Sequence, residues 1–319
     1  MQKILITGAA GFIGYHLSRS LLKDGAIILG IDNLNNYYDT GLKEQRLKRL
    51  KGFKNFTFKK IDLIDEKKLK NVFLNFNPSI VIHLAAQAGV RYSIENPRAY
   101  LDSNLIGFHN VIEQCRRCKI NKLIYASSSS IYGLNEKIPF SVNDKTDYPV
   151  SLYGATKKSN ELVAHAYSHL YGVKTIGLRF FTVYGPWGRP DMAYFSFTKK
   201  IIEGRKIEVF NHGNMQRDFT YIDDIVDGIR NTIEKDFNFE IFNLGNSKSE
   251  DLMTMIRIIE KELNINAKIV FKDMQAGDVF KTYADIKKSS KMLEFKPKVS
   301  LQIGLKRTID WYKSFIGLK

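Results

Sequence analysis

The sequence predicts an α/β fold built on a doubly wound parallel sheet, and three observations carry the prediction. Apolar, β-rich runs of five to nine residues alternate with amphipathic helical stretches through the first half of the chain. Glycines and capping residues punctuate the ends of those stretches. No internal repeat, low-complexity tract or Pro/Ser-rich linker interrupts the alternation. With 319 residues, 44% of them hydrophobic, the chain has enough apolar surface for a large core and two lobes. Strands and helices in strict alternation form a parallel sheet with helices on both faces, because each crossover lays its helix across the sheet.

The first strand is expected at 3–7 (KILIT), followed by a helix at 13–23 that Asp24 and Gly25 stop. Further strands fit 26–32, 56–62, 79–85, 122–128 and 173–181, with helices at 66–76, 100–118 and 152–171. Ser151 is placed to cap the last of these helices, and Gly172 sits where a C′ glycine belongs. Past about residue 185 the order loosens. Strands at 207–211, 241–244 and 268–271 mix with helices at 193–203, 222–233, 252–263 and 301–316. The expected division is a sheet domain over 1–185, completed by a segment within 205–245, and a smaller C-terminal lobe over 186–319 interleaved with it.

Composition narrows the partners. The net charge of +16 raises nucleic acid as a ligand, but the lysines are spread along the whole chain. The densest run, LKEQRLKRLKGFKNFTFKK at 42–60, has helix spacing and then a strand, without an aromatic platform. It reads as a solvated basic face that draws in an anionic small molecule, not nucleic acid. The apolar runs are short and broken, so no membrane span is expected. Thr7 and three spaced glycines interrupt the N-terminal run too early for a signal peptide, so the chain is read as cytoplasmic. Cys115 and Cys118 have no second pair and end an amphipathic helix, a structural reading. His165 and His169 lack the HExxH glutamate, and no metal site is expected.

The first strand runs into TGAAGFIG, with glycines at Gly8, Gly11 and Gly14. A tight strand-to-helix turn and close approach of a pyrophosphate to a helix N-terminus both need residues without Cβ. Glycine also makes ordinary turns, so the trio alone is a weak signal. Asp32, ending the second strand, strengthens it. A carboxylate there accepts from both ribose hydroxyls of NAD and repels the 2′-phosphate of NADP. The sheet is therefore expected to be of Rossmann type, with NAD as cofactor.

Tyr153 and Lys157, in SLYGATKKSNE, share one helix face. A free phenol titrates near ~10, so a tyrosine base needs a shift of roughly 3 units, about 4 kcal/mol. A neighbouring ammonium and a cationic nicotinamide push in that direction. An incidental YxxxK is common on amphipathic helices. The block SSSS at 127–130, which ends the 122–128 strand, adds the missing partner: Ser128 can hold the oxygen whose proton Tyr153 removes.

The set GAAGFIG, HLAAQAGVRYS, SSSSIYG, YGATK and RFFTVYGPWGRPDM resembles the extended short-chain dehydrogenase/reductases, and within them is similar to the UDP-glucuronate 4-epimerases. The similarity runs over nearly the whole chain. By this resemblance Gly8, Gly11, Phe12, Ile13 and Gly14 cradle the pyrophosphate of NAD, and Asp32 and Asn33 take the adenine ribose. Asp62 and Leu63 reach the adenine, while Leu84, Ala85, Ala86 and Gln87 line the cleft and Asn104 supports it. Tyr153 is the implied base, Lys157 its electrostatic partner and a ribose contact, and Ser128 the third catalytic hydroxyl. Arg189 and Arg217 are the implied diphosphate and uridine contacts, Asp278 reaches the uridine ribose, and Arg91 faces either the substrate or a structural ion pair.

Related dehydratases and decarboxylases carry carboxylates directly after the catalytic hydroxyl. This chain has Ser129 and Ser130 there, which cannot move a proton at a carbon beside a ketone. Re-reduction is then the ketone's available fate, which means epimerisation. Neutral donors at Ser128, Ser129, Ser130 and Thr182 also suit a sugar carboxylate without pinning it. The expected activity is NAD-dependent 4-epimerisation of a UDP-hexuronate; a 4-epimerase of UDP-N-acetylglucosamine, its uronate or UDP-glucose is the alternative. The resemblance further implies a homodimer formed through the helices at 100–118 and 152–171.

Overall fold

The computed structural model describes residues 2–274 and 279–318. Six strands lead the chain: β1 (Lys3–Thr7), β2 (Ile27–Asp32), β3 (Phe56–Lys60), β4 (Ile80–His83), β5 (Lys122–Ser128) and β6 (Thr175–Phe180). With β11 (Phe239–Leu244) they form one parallel seven-stranded sheet in the order β11-β6-β5-β4-β1-β2-β3. From β1 the chain winds outward to β2 and β3, then crosses back to β4 and winds the other way. The crevice at that reversal, beyond the carboxyl ends of β1 and β4, is where such a sheet takes its ligand.

Strand alternation divides the core in two. Ile4, Ile6, Ile28 and Ile124 face one side, packed with Leu17 and Leu21 of α1 (Phe12–Lys23), Leu47 of α2 (Thr40–Leu50) and Ile225 and Ile229 of α9 (Ile222–Ile233). Leu5, Ile31, Val81 and Leu123 face the other. They meet Leu69 and Val72 of α3 (Glu66–Phe76), Phe108 and Val111 of α6 (Gly107–Arg117) and Ala164 of α7 (Leu152–Tyr171). Both sheet faces are covered, which explains why the strands read as continuous apolar runs. Ser151 caps α7 by accepting from Gly154 N at 3.0 Å, and Gly172 ends it in the left-handed region.

Three local departures matter for the site. First, the run expected as one strand at 173–181 breaks at Phe181. There the chain leaves the main sheet, and β7 (Thr182–Tyr184) pairs instead with β10 (Phe219–Tyr221). Second, the stretch expected as one α-helix at 100–118 opens on a π-helical segment, Leu101–Ile106, before α6, and two short turns, α4 (Tyr92–Glu95) and α5 (Pro97–Tyr100), lead into it. The wider turn swings Asn104 into the interior, where it is buried. Third, the basic run at 42–60 is not wholly a solvated face. Lys43 and Arg46 of α2 are buried, because the 33–41 and 185–189 segments fold over that side of the helix.

The C-terminal part supplies α8 (Ala193–Ile202), α10 (Leu252–Leu263), α11 (Lys287–Leu293) and α12 (Leu301–Phe315) with the strands β8 (Lys206–Phe210), β9 (Gln216–Arg217), β12 (Glu250–Asp251) and β13 (Lys268–Lys272). β8 pairs with β13 in parallel and β9 with β12 antiparallel. This part shares the first core, sends α9 back against α1 and returns β11 to the main sheet. Both α9 and β11 lie within 205–245. Cys115 is buried in the second core. Among the described residues no helix is long and apolar enough to cross a membrane, and no three acidic, His or Cys side chains gather as a metal site.

Candidate active site

The turn after β1 is built on backbone contact. Gly8 has φ 71°, and a Cβ there would lie 2.7 Å from Ala85 N; at Gly14 it would lie 2.1 Å from Gly8 O. No side chain caps the start of α1 at Gly11, so its leading N–H groups stay available to an anion. Asp32, at the end of β2, accepts from Ala10 N at 3.1 Å and Leu34 N at 2.9 Å. Burial raises its pKa, opposed by these two N–H groups and by the charges of Lys43 and Arg46. Asn33 donates to Asp62 at 2.9 Å. A cradle that any Cβ would fill, an uncapped helix start and a carboxylate at the strand end suit a dinucleotide. Gly8, Gly11, Phe12, Ile13, Gly14, Asp32, Asn33, Asp62 and Leu63 all line one crevice, with Leu84, Ala85, Ala86 and Gln87 on its β4 wall.

Ser128, Tyr153 and Lys157 line the same crevice. Lys157 Nζ donates to Ala126 O at 2.9 Å and stands 6.0 Å from the centre of the Tyr153 ring. Burial alone brings the Lys157 ammonium down to about 8. Tyr153 is raised by burial; the Ser128 hydroxyl and the Arg189 guanidinium act against that rise. The sequence pointed to the lysine as the acidifying neighbour. In the fold its ammonium is engaged by the Ala126 carbonyl, and Ser128 and Arg189 also favour the phenolate. Asn104 does not line the crevice. From behind it accepts from Gln87 N at 2.8 Å and donates to Gln87 O at 3.0 Å and Thr156 Oγ1 at 3.1 Å, tying the β4 wall to α7.

The four serines do different things. Ser127 lines the crevice but gives its hydroxyl to Glu161 at 2.6 Å. Glu161, two turns past Tyr153 on α7, forms a buried ion pair with Arg179 of β6 through contacts at 2.9 and 2.8 Å. Arg179 also reaches the Tyr132 hydroxyl at 3.0 Å. Ser128 accepts from Ser130 N at 3.1 Å, which starts a 3-10 turn at Ser129–Tyr132. That turn takes Ser129 and Ser130 off the strand, and neither lines the crevice.

Arg189 is on the crevice wall, held by Asp191 through Nε at 3.1 Å and Nη2 at 2.5 Å; the Tyr37 hydroxyl donates to the same carboxylate at 3.2 Å. Three other expected contacts stand outside the lining. Thr182 lies in β7 between Phe181 and Val183, which do line it. Arg217 in β9 donates to the carbonyls of Gln216 and Phe280. Arg91 is exposed, its guanidinium 4.7 Å from the Phe210 ring. Asp278 lies outside the described residues. Sequence reasoning missed Asn35, Tyr37 and Lys43, which line the crevice from the 33–41 segment and α2. Their signal was a polar, tyrosine-rich loop directly after the Asp32 strand.

Residues 4–245 match the NAD dependent epimerase/dehydratase family. An uncharacterized protein of Methanocaldococcus jannaschii is 57% identical over 313 residues, covering 98% of this chain and 96% of that protein. UDP-glucuronate 4-epimerase 4 of Arabidopsis thaliana is 47% identical over 330 residues, covering 98% of this chain and 75% of that protein. The crystal structure of UDP-glucuronic acid 4-epimerase from Bacillus cereus, in complex with UDP-glucuronic acid and NAD, matches with a TM-score of 0.93 and 34% identity, over 98% of this chain and 100% of that one. With the family match over residues 4–245 and likeness along almost the whole length, the chain belongs to the NAD dependent epimerase/dehydratase family.

Proposed function

We propose that the protein is an NAD-dependent 4-epimerase of a UDP-hexuronate, interconverting UDP-glucuronate and UDP-galacturonate. One observation carries the reaction type. Among the described residues lining the crevice the only carboxylates are Asp32 and Asp62, at the ends of the strands that receive the adenosine. Around Tyr153 the polar groups include Ser128, Lys157 and Arg189, with Lys157 held on the Ala126 carbonyl and no carboxylate among them. A 4-keto sugar formed there has no neighbouring side-chain carboxyl group to drive elimination or to protonate the enolate that loss of CO2 would leave, and in this reading it is reduced again.

NAD, when bound by the 8–14 turn and Asp32, supplies the acceptor and later the donor of the hydride at sugar carbon 4. Tyr153 takes the proton of the 4-hydroxyl and gives it back. Ser128 shares that proton's oxygen through its hydroxyl, and Lys157, fixed on Ala126 O, sets the position of α7 relative to β5. We assign the diphosphate to Arg189, whose guanidinium is oriented on the crevice wall by Asp191, so it stays anchored while the keto sugar turns its other face. We assign the uronate carboxylate to neutral donors: Ser128 on the wall, with Ser129, Ser130 and Thr182 next to wall residues in sequence. Arg217 and Asp278 remain our assignments for the uridine.

Initial rates on UDP-glucuronate, UDP-glucose and UDP-N-acetylglucosamine, without added NAD, test this reading. UDP-glucuronate should give UDP-galacturonate with the highest kcat/KM. A higher value on either neutral sugar would overturn the uronate assignment, and silence of NAD-loaded protein on all three would overturn epimerisation.

A further inference from the structure

Arg46 is fully buried, and its five hydrogen bonds all go to neutral oxygens. Nη1 donates to Ala10 O at 2.9 Å and to the Tyr38 hydroxyl at 2.8 Å. Nε and Nη2 donate to Trp187 O at 3.1 and 2.5 Å, and Nη2 also to Gly188 O at 3.0 Å. One end of the fork therefore grips the glycine turn, whose Ala10 is held through its N–H by Asp32. The other grips the two residues just before Arg189.

That second segment needs holding. Trp187 has φ 61°, a left-handed conformation that is strained for a bulky residue and persists only where its surroundings over-determine it. Arg46 fixes its carbonyl twice, the His16 ring contacts the preceding Pro186 O at 2.8 Å, and Arg49 lies 4.7 Å from the indole. A guanidinium among neutral oxygens also carries a charge that is costly to bury. Asp32 offsets part of it through space. Ligands bearing diphosphates on the two segments it grips would offset more.

We propose that Arg46 is a positioning residue that joins the cofactor subsite to the substrate-diphosphate subsite, holding the 8–14 turn and the Arg189 segment in register through one side chain. The proposal rests on the assignment of NAD to that turn and of the UDP diphosphate to Arg189. It does not touch the reacting atoms. Its loss therefore weakens both ligands together and leaves the chemical step comparatively intact. A residue that only staples the fold would lower thermal stability and leave both affinities alone.

The test compares wild type with Arg46→Gln and Arg46→Lys, each verified as folded. Three quantities are read: the dissociation constant of NAD, that of UDP on NAD-loaded protein, and kcat with both ligands saturating. In Arg46→Gln both constants should rise roughly tenfold or more, the size expected for losing charged hydrogen bonds, while kcat changes far less. Arg46→Lys should recover part of both, and it carries the comparison if the Gln variant does not fold. Wild-type affinities for both ligands in folded variants, or weakening of one ligand alone, would overturn the joint role. Failure of the wild-type protein to bind NAD or UDP would instead overturn the functional reading beneath it.

Discussion

Tyr153 sits under opposing influences. Burial favours the neutral phenol, while Ser128 and Arg189 favour the phenolate; a bound nicotinamide cation would add to the second pair. Replacing it by phenylalanine keeps the ring and removes the proton acceptor. Tyr153→Phe should lower kcat by about 10²–10⁴-fold with NAD and UDP binding preserved, and steady-state rates near wild type would contradict its role. His83 at the end of β4 supports a second prediction. Its buried ring accepts from or donates to Thr7 Oγ1 at 2.9 Å, and burial with the nearby Lys157 charge brings its pKa to about 3. Between about pH 6.5 and 3 the unfolded chain binds a proton there that the folded chain refuses, so this group's contribution to stability falls as pH falls through that window. Urea midpoints across it should decline less steeply in His83→Asn, and an unchanged slope would contradict the assignment. Tyr153 and Lys157 were legible because helical spacing alone puts them on one face. Which serines face the crevice was not, since the turn at Ser129 ends the two-residue period from which strand facing is read. Lys43 and Arg46 were equally hidden: on their helix they look like solvated charges, and only segments distant in sequence bury them.

At the scale of elements, the ion pair of Glu161 and Arg179 locks α7 to β6, and Ser127 extends the lock to β5. These three elements carry Tyr153, Ser128 and the chain leading to β7. Glu161→Ala leaves a buried guanidinium unpaired and should destabilise the fold by roughly 3–5 kcal/mol, read from urea denaturation; a loss within error would show that the pair contributes little. The main strands and helices were legible from apolar period and caps, since β1, β4 and α7 match their expected places closely. The two misread elements share a cause. The π-helical turn at Leu101–Ile106 and the break between β6 and β7 both depend on partners far away in the chain: Asn104 reaches Gln87 and Thr156, and Thr182 N reaches Asp218 O at 3.1 Å.

The molecule as a whole places its crevice where the sheet reverses, and that much followed from strand and helix order alone. Which elements of the 205–245 segment return, and where, did not: β11 pairs with β6, and α9 packs on α1 from more than half the chain away. Exposed apolar side chains remain on neighbouring helical segments, with Leu101 and Ile106 on the π-helical turn and Leu162 on α7. A homodimer through this face is expected. Sedimentation should give a dimer for wild type and a monomer for Leu162→Glu, and a monomeric wild type would refute it. The central claim is that carbon 4 of the sugar is transiently oxidised and then reduced by the same hydrogen. Turnover of UDP-glucuronate in heavy water, followed by NMR of the UDP-galacturonate formed, tests it most directly. The account predicts a product with no solvent deuterium at carbon 4. Deuterium at carbon 4 would mean that its hydrogen was exchanged with water and not held and returned as hydride, and would contradict it.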